Sequence, residues 1–251
     1  MGRDMVDITA RDHLIVALDV DSLAEAGRLV ELLFPRVGMF KIGMRLFNSV
    51  GPPAIQLVRD RGAKVFVDLK LHDIPSTVAG AVRALTGHGA AILNVHAAGG
   101  TAMMKAAAEA ARAEASALGI PRPLVVAVTV LTAIDQAVFN GELGMPGSIR
   151  ERVVAWSRMA FEAGLDGVVS SPHEVADIRR ACGSEFVIIT PGVRPAGDAA
   201  GDQKRVMSPG GAVRLGASYL VVGRPVIAAP DPVKAAADIL AEMGSAQVKN
   251  T

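Results

Sequence analysis

Eight short runs rich in β-branched residues recur along this chain, separated by longer Ala- and Leu-rich segments, and that alternation limits the fold more than any single motif does. Strands are expected at Leu14–Leu18, Met39–Ile42, Lys64–Leu69, Ala91–Val95, Leu124–Val130, Gly167–Ser170, Phe186–Thr190 and Tyr219–Val222. Helices are expected at Ser22–Leu33, capped by Asp21 or Ser22, and at Thr101–Leu118 and Ser148–Ala163, each stopped by a glycine. Pro172–Arg180 and Pro232–Met243 open on proline, whose missing N–H costs little in a first turn. Strand–helix alternation implies a parallel α/β sheet, and eight units imply closure into a single-domain (β/α)8 barrel over residues 1–251. An open doubly wound sheet is the main rival, but the first strand ends in LDVDS rather than a GxGxxG turn. No linker or second domain is visible, and residues 244–251 read as a frayed tail.

Composition narrows the partners. With 26 basic and 25 acidic residues the net charge is +1, which provides no whole-molecule field to hold nucleic acid or an anionic membrane. An anionic ligand therefore needs a local site. Cys182 is the single cysteine, so no intrachain disulfide forms, and a cytoplasmic location fits. The charged start reads as no secretory signal, and no apolar run is long enough to span a bilayer. Aromatic residues make up 4% of the chain, so the core must rest on aliphatic side chains.

Barrel active sites lie at the carboxyl ends of the strands. Polar residues collect there: Asp19, Lys41, Asp68 with Lys70, His96, Thr129 with Thr132, Ser170 with Ser171, Thr190, and Gly223-Arg224. The sharpest cluster is VDLKLHDIPST, Val67 to Thr77. Residues two apart on a strand share a face, so Asp68 and Lys70 should point together toward the mouth, with Asp73 close behind. The plainer reading is a structural ion pair and a helix cap. Likewise Asp19 would simply cap the helix near Ser22, and Lys41 would be a surface lysine with a buried stem.

A second cluster is ITPGVRP, Ile189 to Pro195, followed by a polar Gly-rich stretch and then by VGRP at Val222. Loops after strands seven and eight commonly bind phosphate in these barrels. Arg194, Arg224 and the backbone N–H groups of Gly223 and Arg224 would serve an anion, and a loop with glycines at 197, 201, 210 and 211 would close as a lid. A solvated surface loop is the alternative. His96 reads as a structural polar group, Cys182 as packing, and His72 as exposed or at an interface. No HExxH, paired CxxC or three-ligand spacing points to a metal, and no cofactor motif is present.

Taken in order, LDV at Leu18, KIG at Lys41, DLKLHDIP from Asp68, VTVLT from Val128, TPGVRP from Thr190 and VGRP at Val222 resemble the orotidine 5'-monophosphate decarboxylases of the bacterial type. The resemblance covers about residues 14–232. It implies a cofactor-free dimeric enzyme converting orotidine monophosphate to uridine monophosphate and carbon dioxide. It implies that Asp19 and Lys41 hold the ribose hydroxyls, that Asp68 sits beside the substrate carboxylate, and that Lys70 donates the proton. Asp73, with Ile74 and Thr77, would come from the partner subunit. Thr132 would lie near the pyrimidine; Arg194, Gln203, Gly223 and Arg224 would bind phosphate, with Pro191 shaping that turn. One departure is Ala133, where many family members carry serine.

Three rivals stay open. Magnesium-dependent sugar-phosphate enzymes of the same superfamily share D-x-K-x-x-D but carry glutamate in place of Lys41. A non-catalytic nucleotide sensor would keep the pocket, and a tryptophan-biosynthesis-type barrel would share the phosphate loop.

Overall fold

A computed structural model describes residues 10–194 and 207–247. Eight parallel strands close into a barrel in sequence order: β1 Leu14–Ala17, β2 Met39–Gly43, β3 Lys64–Leu71, β4 Ile92–His96, β5 Leu124–Val128, β6 Gly167–Val169, β7 Val187–Thr190 and β8 Tyr219–Val222. β1 pairs with both β2 and β8, which leaves no sheet edge. The helices are α1 Ala10–His13, α2 Leu23–Leu33, α3 Met44–Val50, α4 Pro53–Arg59, α5 Pro75–Gly87, α6 Gly100–Leu118, α7 Ile149–Glu162, α8 Val175–Cys182, α9 Pro209–Arg214, α10 Arg224–Ile227 and α11 Pro232–Gln247. The chain is thus a single-domain (β/α)8 barrel.

Local chemistry explains the helix ends. The Ser22 hydroxyl accepts from Glu25 N and caps α2, which settles the choice between Asp21 and Ser22. Ser148 and Glu151 form a reciprocal capping box on α7, and Gly119 ends α6 in the left-handed conformation. Helix α5 is less legible, because its PSTVAGAVRALTG sequence is rich in β-branched residues and glycine. It forms because Pro75 presets the first turn and Val78, Val82 and Leu85 are buried on one stripe.

Strand alternation divides the core into two layers. Ile15, Ala17, Met39, Phe66, Ile92, Val126, Ile189 and Val221 fill the barrel. Their neighbours, such as Val16, Phe40, Val67, Leu93 and Ile188, face outward against Leu29, Val82, Met104 and Ile178 of the helices. Burying each large aliphatic side chain stabilises the fold by about 1.5–3 kcal/mol. Gly167 is required by closeness: a Cβ there would lie 2.0 Å from Val187 O on the next strand.

Three expectations need correction. The C-terminal helix does not stop at Met243 but runs to Gln247 with Ala246 buried, so the tail does not begin at Gly244. Gly210 and Gly211 are not loop residues. They belong to α9, which Ser208 caps and which is tied to α11 by Gly210 N donating to Glu242 Oε1 at 3.0 Å. The segment expected as one helix from Pro172 divides into a 3-10 turn, Pro172–Glu174, and α8. No helix among the described residues is long and apolar enough to cross a membrane.

Candidate active site

A cavity of about 490 Å³ opens at the carboxyl ends of the strands. Its floor is Ala17, Phe66 and Val221 from the inner core layer. Asp19, Lys41, Asp68, Lys70, Thr132, Pro191, Arg194, Gly223 and Arg224 all line it.

Charges alternate in sign along one wall. Lys41 Nζ lies 3.2 Å from Asp19 Oδ1 and 3.3 Å from Asp68 Oδ2, and Lys70 Nζ lies 2.7 Å from Asp68 Oδ1. Lys41 is 9% exposed, so it is no surface lysine. Asp19 faces Lys41 while Ser22 caps α2. Gly43 of the KIG motif makes room for this pairing, since a Cβ there would stand 2.7 Å from Lys41 Nζ.

Lys70 does not reach Asp68 by plain strand alternation. Between paired positions β3 advances from Val67 to Leu71 while β4 advances only from Leu93 to Val95, so Asp68, Leu69 and Lys70 bulge. Lys70 has φ of +53°, alone among the described non-glycine residues in being positive. Such a conformation costs about 1–3 kcal/mol and persists only where its surroundings enforce it. Buried Asn94 contributes: its Oδ1 accepts from Lys70 N at 2.8 Å, and its Nδ2 donates to Asp68 Oδ1 at 2.7 Å. Sequence reasoning missed Asn94. Its one signal was a polar residue inside the hydrophobic run ILNVH.

Burial by itself would strip the proton from Lys41, but the carboxylates of Asp68 and Asp19 outweigh it and hold the ammonium above the ordinary lysine value. Burial would likewise protonate Asp68. The charges of Lys41 and Lys70, with hydrogen bonds from Lys70 and Asn94, instead hold it below the usual carboxylate range. The Lys41 ammonium and the ionised Asp68 carboxylate therefore stand together at neutral pH.

The opposite wall is different. Val128, Val130, Val169, Pro191 and Gly192 give it an apolar face, while Arg194 stands on the loop after β7 and Arg224 opens α10 after β8. Val193 bridges to Met207, and Arg194 N donates to Met207 O at 3.0 Å. Gln203, with the lid glycines 197 and 201, lies outside the described residues. Leu131, Thr132 and Ala133 follow β5 and reach the cavity.

Not every polar strand end faces the ligand space. Thr129 donates to Val169 O, Ser171 caps the 3-10 turn, and Thr190 is fully buried next to inward-facing Ile189. His96 caps a short turn through Ala98 N, and its ring stacks on His72 at 5.4 Å. Burial, then the charges of His72 and Lys70, lower its proton affinity.

Asp73, Ile74 and Thr77 are exposed and do not line the cavity of a single chain. Asp73 is not the cap of α5: its carboxylate accepts from Ile74 N, and α5 has no side-chain cap. Among the described residues, Lys70 pairs with Asp68 and not with Asp73 of the same chain.

Comparison with known proteins adds the family. Residues 12–239 match the model of the orotidine 5'-phosphate decarboxylase / HUMPS family. A protein of Moorella thermoacetica named orotidine 5'-phosphate decarboxylase is 56% identical, with 96% of each chain covered. One of the same name from Syntrophomonas wolfei is 48% identical over 93% of this chain and 98% of its own. The crystal structure of orotidine 5'-phosphate decarboxylase from Lactobacillus acidophilus superposes with a TM-score of 0.82 at 36% identity, covering 93% of this chain and 99% of that one. Fold, ordered motifs and these likenesses agree, and the chain belongs to the orotidine 5'-phosphate decarboxylase / HUMPS family.

Proposed function

We propose that this chain converts orotidine 5'-monophosphate to uridine 5'-monophosphate and carbon dioxide in de novo pyrimidine biosynthesis, in the cytoplasm and without a cofactor. The observation that carries this reading is the Lys70 ammonium, held 2.7 Å from ionised Asp68 at the edge of a cavity whose far side bears two arginines. Arg194, Gln203, Gly223 and Arg224 take the phosphate. Asp19 and Lys41 take the ribose hydroxyls, and Thr132 lies by the base, with Pro191 shaping the phosphate turn.

Decarboxylation breaks the bond from C6 to the carboxylate and leaves the electron pair in the plane of the ring, where π overlap cannot spread it. Asp68 disfavours the bound carboxylate. Lys70 stabilises the developing carbanion, gives C6 a proton from Nζ, and is reprotonated by solvent. Two charges 4 Å apart interact by about 4 kcal/mol at an effective dielectric near 20, whereas the largest enzymatic accelerations need about 20 kcal/mol. Repulsion from Asp68 is thus a minor share, and binding energy from the remote phosphate must be used in the transition state.

The active unit is a homodimer in which Asp73, Ile74 and Thr77 enter the partner's site. Their exposure and their absence from the cavity of their own chain support this, as does Ile74, an apolar side chain 63% exposed. Mixing inactive Lys70→Ala and Asp73→Ala chains should restore about a quarter of the sites, because half the dimers are hybrids with one intact site. No recovery would make the site self-contained.

The family also includes the HUMPS enzymes. Lys41 favours the decarboxylase, because an ammonium stands between Asp19 and Asp68 where the magnesium-dependent members carry a glutamate ligand. The deciding experiment follows the absorbance of orotidine monophosphate with and without a chelator. Equal turnover in both is expected. Loss on chelation would favour the metal-dependent reading, and no turnover in either would refute decarboxylation.

A further inference from the structure

Asn94 stands where the backbone ladder between β3 and β4 is interrupted. It is the β4 residue opposite the bulge, between Leu93 and Val95, and it is 1% exposed. Both ends of its amide are used. Nδ2 donates to Asp68 Oδ1 at 2.7 Å, and Oδ1 accepts the backbone N–H of Lys70 at 2.8 Å. A bulge leaves such an N–H without its strand partner, so the side chain supplies the missing acceptor.

We propose that Asn94 is a positioning residue for decarboxylation: one amide holds the bulge that aims Lys70 and orients the Asp68 carboxylate beside it. Its effect on rate rests on the decarboxylase reading; its effect on the bulge does not. A neutral amide suits both tasks, offering a donor to a carboxylate and an acceptor to an N–H, without adding charge between Lys41, Asp68 and Lys70. Aspartate would keep the acceptor but turn an oxygen toward Asp68. Leucine would keep the size and lose both contacts.

The test compares Asn94→Asp and Asn94→Leu. In Asn94→Asp, kcat at neutral pH should fall by about 10- to 100-fold, by analogy with loss of the hydrogen-bond partner that orients a metal ligand. KM should change little, because the phosphate contacts are remote. Lowering the pH should return part of the rate, since a proton on the introduced carboxyl group restores the donor while Asp68 stays ionised, and the parent chain should show no such rise. In Asn94→Leu the loss should be independent of pH, and amide exchange at Lys70 should quicken. Either variant that fails to fold is replaced by Asn94→Ser, whose hydroxyl is too short to span both partners and should also quicken exchange at Lys70. The proposal is overturned if the variants keep the parent rate, or if the losses come without acid recovery and with Lys70 exchange unchanged. Lack of turnover by the parent chain sinks the decarboxylase reading instead. Lys70 exchange and the titration of Asn94→Asp then still decide the role in the bulge.

Discussion

The two halves of the barrel mouth differ in kind. β1 to β4 and the residues that follow them supply exposed Asp19, buried Lys41, partly buried Asp68 and Lys70, and the neutral amide of buried Asn94, joined by contacts of 2.7–3.3 Å. β5 to β8 and their loops supply valines, Pro191, Gly192, Gly223 and two arginines. On the proposed reading one half carries the reacting groups, and the other provides shape and holds an anion at a distance. The barrel would then separate chemistry from anchoring, so the two halves should fail differently when mutated.

Lys70→Ala should have the largest effect. On the proposed reading it removes the proton donor, and it should lower kcat by about 10⁴-fold, the upper end for general acid–base catalysis, while the barrel stays folded. Single-turnover assays beside circular dichroism check this, and substantial residual turnover would take Lys70 out of its role.

Arg224→Ala tests the anchoring half. It should lower kcat/KM by roughly 10²–10³-fold, corresponding to the loss of charge-assisted hydrogen bonds to phosphate. If remote binding energy assists the chemistry, as proposed, the single-turnover rate should fall as well as the affinity. A change in KM alone would show the halves to be independent.

Asp68→Asn should lower stability as well as rate. It leaves Lys41 and Lys70 without their shared anion and should cost about 3 kcal/mol, the lower end for breaking a buried pair. The sign of the pH dependence follows from the two shifts. Asp68 is held below its unfolded value, so its contribution is present above about pH 4 and lost as pH falls through the folded value. Lys41 is held above its unfolded value, so its contribution is present below about pH 10 and lost as pH rises through the folded value. Denaturant midpoints of parent and variant should therefore differ most between these limits and converge at acid pH.

Ala133→Ser should have the smallest effect. Ala133 lines the cavity beside Thr132, and a hydroxyl there should alter KM by less than about tenfold, one hydrogen bond being worth about 0.5–1.5 kcal/mol. An effect of the same size on kcat would extend the reacting half across β5.

Much of this was legible in the chain. The β-branched runs marked eight strands, and KIG, DLKLHDIP, TPGVRP and VGRP marked the strand ends and following turns from which Lys41, Asp68, Lys70, Arg194 and Arg224 reach one cavity. Thr190 shows the limit. It ends a strand, as Lys70 nearly does, yet it is fully buried and absent from the cavity, while Ile189 beside it faces inward. Position along a strand is written in sequence; which side of the sheet a terminal residue takes depends on register and bulges.

Hydrophobic period and turn residues act over a few neighbours, so the chain alone determined the eight-fold strand–helix order, the helix starts near Ser22 and Ser148, and the motifs at the strand ends. Only the closed barrel decided that Lys41 would be buried between two carboxylates, that β3 would bulge at Lys70, and that Asn94, 24 residues downstream, would hold it there. Those outcomes depend on contacts between different strands, whose energies come from burial and hydrogen bonding that exist only after the sheet has closed.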